Sequence, residues 1–147
     1  MKNKFYKIFI FVLVNLIFFQ KTFSDEINFE ANIIELLDKD KKIIAKNNVK
    51  ILTENEIITA DEMVYFKDEG IAEVKGNIIL KTLDNDMIVY SDKLIYKKKT
   101  EEIVVNENVL MKFNNNYQFN TNNAKYKRLE NKITINDTAT VIDKFGN

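Results

Sequence analysis

The residues with chemical potential in this 147-residue chain are few, and they recur. Asp61, Asp92 and Asn122 sit in three similar stretches, "ITADEMVY", "VYSDKLIY" and "FNTNNAKY", each ending on a tyrosine: Tyr65, Tyr96 and Tyr126. Asp61 and Asp92 could act as a carboxylate pair in acid–base chemistry, since the chain has no histidine and no cysteine to serve as general base or nucleophile. Their equal placement in successive copies favours a role in turns over catalysis. "DKDKK" at 38–42 spaces its acids two apart but lacks the glycine and closing glutamate of a calcium loop. No glycine-rich phosphate loop is present, and Lys97-Lys98-Lys99 reads as a solvated loop. We therefore expect no catalytic residue, no metal site and no cofactor.

Composition narrows the class further. The chain is 46% hydrophobic and 30% charged, with 12% aromatics and no proline. That suits one strand-rich domain. Residues 1–24 stand apart: Lys2, Lys4 and Lys7 precede the apolar run from Ile8 to Phe19, and Thr22-Phe23-Ser24 ends on a small residue. This is the layout of a secretory signal peptide, too short for the ~20 apolar residues of a spanning helix. An uncleaved membrane anchor is the alternative. Domain boundaries follow: signal peptide 1–24, folded domain 25–147. Without Lys2, Lys4, Lys7 and Lys21, 18 of the 22 basic residues face 22 acidic ones, a net charge of −4. Such a domain is poorly suited to nucleic acid.

The folded domain repeats with a period near thirty residues. Asn48, Asn77, Asn108 and Thr138 follow one another at intervals of 29, 31 and 30 residues. Each follows a turn-prone residue (Asn47, Gly76, Glu107, Asp137) and precedes alternating apolar positions. "FEANIIEL" at 29–36 reads as a degenerate earlier copy of the tyrosine motif. Within that motif the alternation changes phase, from Ile58/Ala60 to Met63/Tyr65 and from Val89/Ser91 to Leu94/Tyr96. A strand whose inward set changes parity needs a bulge or corner. We expect an all-β domain of about four two-strand repeats, each strand bent across two sheets, with Gly76 permitting a bend or bulge at a sheet edge. Residues 32–48 could also suit a helix, but the repeat register favours strands.

The inward stripe of such a domain comprises Val49, Ile51, Met63, Tyr65, Ile78, Leu80, Leu94, Tyr96, Val109, Met111, Ala124, Tyr126, Ile133 and Ile135. The plain reading is a filled core, in a structural or protein–protein interaction module. The sharper one is a hydrophobic groove for lipid between splayed sheets. Open strand edges would template head-to-tail association.

At "IITADEMVYFKDEGIAEVKGNIIL" (57–80) and "MIVYSDKLIY" (87–96) the chain resembles the OstA-like N-terminal domain of lipopolysaccharide transport proteins. The likeness spans about residues 27–142. It departs where Asn47, Glu107 and Asp137 replace the glycine that only Gly76 retains. The resemblance implies an open, twisted β-jellyroll in the periplasm, free or associated with the outer membrane. Its groove would bind the lipid A acyl chains of lipopolysaccharide along the fourteen inward residues. Its partners would be other jellyroll domains, joined by head-to-tail strand pairing, and the inner- and outer-membrane transport complexes. Ending at "TVIDKFGN", the chain suits either a small soluble bridge protein or the N-terminal part of a longer outer-membrane translocon.

Overall fold

Alternating apolar and polar residues with frequent β-branching dictate strands, and the short polar stretches between them dictate hairpin turns. The computed structural model describes residues 27–146 except 85 and 115, so the expected signal peptide lies outside the described residues. Ten strands follow in order: β1 (Asn28–Glu30), β2 (Ile33–Leu37), β3 (Lys42–Leu52), β4 (Glu56–Phe66), β5 (Ile71–Thr82), β6 (Met87–Lys97), β7 (Glu102–Phe113), β8 (Tyr117–Lys127), β9 (Lys132–Thr134) and β10 (Thr140–Asp143). The segment that could suit a helix forms β2, a turn and β3. That turn holds Asp38, Lys39 and Asp40 at φ between 53° and 67°.

All ten strands belong to one antiparallel sheet, with β3 to β8 as consecutive neighbours. The two sheets expected to share bent strands are the two halves of one continuous sheet, creased along its middle. β2 pairs with the first half of β3 and β1 with its second half; β10 and β9 divide β8 in the same way. Among the described residues these two edges do not pair with each other, so the sheet stays open.

The crease is built by bulges. β3, β5 and β7 each carry an extra residue where the register shifts, at 47–48, 76–77 and 107–108. At all three, two successive residues have left-handed backbone: Asn47 and Asn48, Gly76 and Asn77, Glu107 and Asn108. The repeat anchors are therefore bulge residues, lying in the sheet's interior and not at its edge. Asp61 and Asp92 face them and hold them in place. Asn77 donates to Asp61 at 2.8 Å, and Asn108 donates to Asp92 at 2.5 Å. The fourth anchor, Thr138, forms no bulge; it lies in the segment between β9 and β10. A bulge needs a continuous strand to carry its extra residue, and here the strand beside β8 is split into β9 and β10.

Folding at the crease brings the two half-sheets face to face around one apolar core. The inner face is arranged in rungs that cross the strands. One runs Phe29, Ile51, Ile58, Leu80, Val89, Met111, Phe119, Val141 through successive paired positions. On the opposite half-sheet another runs Leu36, Ile43, Tyr65, Ala72, Tyr96, Ile103, Tyr126, Ile133. Tyrosines alternate there with smaller residues, so each ring has room beside its neighbours. This explains the recurrent tyrosines: they occupy every second strand of a single rung.

Candidate functional site: the interface between the half-sheets

The interior is the candidate site because it is the concave, apolar feature the repeats build. Of the expected lining residues, Val49, Ile51, Met63, Tyr65, Ile78, Leu80, Leu94, Tyr96, Val109, Met111 and Ala124 are buried in the core. Tyr126, Ile133 and Ile135 pack against it and are partly buried. The structure thus brings all fourteen together. The same face holds residues missing from that set, among them Ala45, Ile58, Val74, Met87, Val89, Ile103 and Val105. Ala45, Val74, Ile103 and Val105 share their strand's parity with a residue of the expected set, whereas Ile58, Met87 and Val89 carry the other parity, across the phase change of β4 and β6.

Among the described residues, the space between the half-sheets is almost filled. An apolar cavity of about 20 Å³ lies among Leu80, Met87, Val89, Ile103, Val105 and Met111, room for roughly one water molecule. Both ends of the stripe are uncovered. Ile34 and Leu36, on the inner face of β2, are 49% and 57% exposed; Val141, on the inner face of β10, is 48% exposed. The apolar rungs therefore run through the molecule and emerge at both edges.

Opposite the crease the half-sheets end in turns that face each other across a mouth, an open depression of about 740 Å³. Each lip is tied together by its backbone. Leu83 N–H donates to Asn55 C=O at 2.8 Å on one lip, and Arg128 N–H donates to Glu101 C=O at 3.0 Å on the other. Side chains then cross the gap. Arg128 Nη1 donates to Glu56 Oε2 at 3.2 Å and lies 2.8 Å from Glu101 Oε2. The Glu101 oxygen is buried and lacks hydrogen-bond geometry, so that contact is an ion pair only. Glu56 is 1% exposed and also accepts from Thr53 Oγ1. Tyr96 lies beneath this cluster. Burial, reinforced by the charge of Glu101, pushes its hydroxyl pKa up to about 12, with Arg128 opposing the shift.

Sequence reasoning missed this cluster. Its signal was Arg128, the single arginine among 22 basic residues. Arginine suits a buried pair better than lysine because its planar guanidinium can serve several acceptors at once.

Other candidate chemistry resolves into structural roles. Asp61 and Asp92 lie two strands apart, roughly 10 Å, each facing its own bulge on the next strand. Lys97 pairs with Glu102 at 2.9 Å, and Lys99 donates to Asp68 C=O at 2.8 Å. Among the described residues no three His, Cys, Asp or Glu side chains assemble into a metal-binding group.

Comparison with known proteins agrees with this architecture. A search of curated proteins finds no significant match. Among solved structures, the chain is similar to LptH of Pseudomonas aeruginosa, the LptA-homologous periplasmic component of the conserved lipopolysaccharide transport device. The TM-score is 0.69 at 12% identity, over 80% of this chain and 94% of that one. At that identity the likeness carries the fold. The family model for OstA-like proteins matches residues 23–146. With the creased open sheet, the bulge repeats and this match in hand, the chain belongs to the OstA-like protein family.

Proposed function

We propose that this chain is a periplasmic module of lipopolysaccharide transport, which shields lipid acyl chains between its two half-sheets on the way to the outer membrane. The observation that carries the reading is the set of apolar rungs that cross the open sheet and emerge uncovered at Ile34 and Leu36 on one side and Val141 on the other. Membership of the OstA-like family and the LptH-like fold support it.

The physical logic is that of a low-barrier path. Each buried methylene is worth about 0.8 kcal/mol, so exposing a twelve-carbon chain to water costs roughly 9 kcal/mol. Successive rungs of similar composition keep a chain at nearly constant energy along the path. The exposed apolar edges β2 and β10 then serve as joints. Another jellyroll adding a strand there would extend the stripe into the next domain and, by repetition, toward the inner- and outer-membrane complexes.

Photocrosslinking tests this reading. A photoreactive residue at Met63, Leu80 or Leu94 should crosslink to lipopolysaccharide; one at outward-facing Lys75 or Lys81 should not. Adducts confined to the outward positions would refute it. The nearly filled interior favours a second reading, a structural or interaction module with a permanently dry core. That reading predicts no adduct at any inner position.

A further inference from the structure

A cavity of about 20 Å³ cannot hold an acyl chain, so the half-sheets must separate before anything enters. What resists separation is visible at the mouth. Arg128, on the lip that follows β8, reaches Glu56 at the start of β4, 72 residues away in sequence and on the opposite half-sheet. Its backbone is fixed by the hydrogen bond to Glu101, so the side chain is aimed across the gap. Its guanidinium is 11% exposed and Glu56 is 1% exposed, so water screens the pair weakly.

We infer that Arg128 and Glu56 form a latch across the mouth, which holds the half-sheets closed and must release before an acyl chain can enter. The inference rests on the proposed lipid-carrying role only for what enters; the latch itself is a property of the closed fold. Release leaves no orphaned charge. Glu56 keeps Thr53 as a partner and gains water, and Glu101 is already 27% exposed. Removing Arg128 has a different effect from opening: it strands the buried Glu56 carboxylate in the closed state. The mouth then opens to hydrate that charge.

The chain has no cysteine, so two can be introduced cleanly for spin labels. Leu83 and Leu129, 55% and 80% exposed on opposite lips, are suitable sites. In otherwise wild-type full-length chain, electron–electron distance measurements should give one narrow distribution. Arg128→Gln should lengthen the mean by on the order of 5 Å, one strand spacing, and broaden it. Uptake of dansyl-labelled dodecanoic acid, followed by stopped flow, should accelerate at least tenfold. Arg128→Lys keeps the charge and should fall between the two, while Glu56→Gln/Arg128→Gln, which leaves one buried charge fewer than Arg128→Gln alone, should open less than Arg128→Gln. Unchanged distances in Arg128→Gln and Arg128→Lys, with circular dichroism showing an intact sheet, would overturn the latch. Lengthened distances without probe uptake in any variant would uphold the latch and count against the lipid-carrying role instead.

Discussion

Gly76→Ala probes the crease on which the architecture depends. Gly76 sits at φ +77°, and a Cβ there would lie 3.0 Å from Asp61 Cβ and closer still to its carboxylate. A left-handed backbone costs an L-residue roughly 1–2 kcal/mol. Asp61 must also move aside, which gives up the 2.8 Å hydrogen bond from Asn77; at this exposed position that is worth about 0.5–1 kcal/mol. The total is a loss of roughly 1.5–3 kcal/mol. With a mid-range urea slope of ~2 kcal/mol/M, the unfolding midpoint should fall by about 1 M. Asp61→Ala in the same chain removes the carboxylate from the collision and leaves only the 3.0 Å Cβ contact, so the further loss from Gly76→Ala should shrink toward the backbone cost. Glu107 occupies the equivalent position at φ 64° with no glycine. Glu107→Gly relieves that backbone at the expense of an exposed pair with Lys93, so it should be neutral or stabilising by up to about 1 kcal/mol. The reasoning fails if Gly76→Ala shifts the midpoint negligibly, or if Glu107→Gly destabilises as much as Gly76→Ala.

Three further outcomes follow from the interior and its edges. Met111→Ala removes a buried side chain beside the existing cavity, so it should cost about 2–5 kcal/mol in chemical denaturation; crystals under xenon should show the enlarged void occupied. Tyr96 has a folded-state pKa raised to about 12, so its neutral form stabilises the fold in full below its ordinary value of about 10. That contribution is lost as pH rises through the window between them, and Tyr96→Phe should flatten the decline in thermal stability over that range. Ile34→Lys/Leu36→Lys places charge on the exposed apolar edge of β2. It should weaken concentration-dependent self-association in sedimentation runs while leaving the melting curve within about 0.5 kcal/mol of wild type.

Much of this was legible in the sequence because the repeat imposes its own check. Tyr65, Tyr96 and Tyr126 recur with the crease anchors Asn48, Asn77 and Asn108, and the structure places the tyrosines on one rung and the anchors in three equivalent bulges. The phase change between Ala60 and Met63 identified a bend, but not which strand carries the extra residue. That depends on which partner can adopt left-handed backbone, and Asn47-Asn48 opposite Asp61 settles it only once the pairing is known. Thr138 misled because spacing alone cannot tell an unbroken strand from a split one. The mouth cluster was hidden for a different reason. Glu56 and Arg128 meet only when the sheet folds at its crease, and no local pattern encodes a contact across 72 residues. How far the half-sheets separate is also absent from the sequence, since a filled core and a fillable groove are lined by the same apolar alternation.

The claim that the interior admits acyl chains is open to a direct measurement. Met63, Met87 and Met111 all point into the core, spread over three strands. With methyl-labelled methionine and a lipid carrying a nitroxide on its acyl chain, nuclear magnetic resonance reads proximity to each site separately. The account predicts that all three methyl signals broaden on addition of the spin-labelled lipid and recover when the nitroxide is reduced. Unchanged core methionine signals, under conditions where the lipid binds elsewhere on the protein, would contradict it.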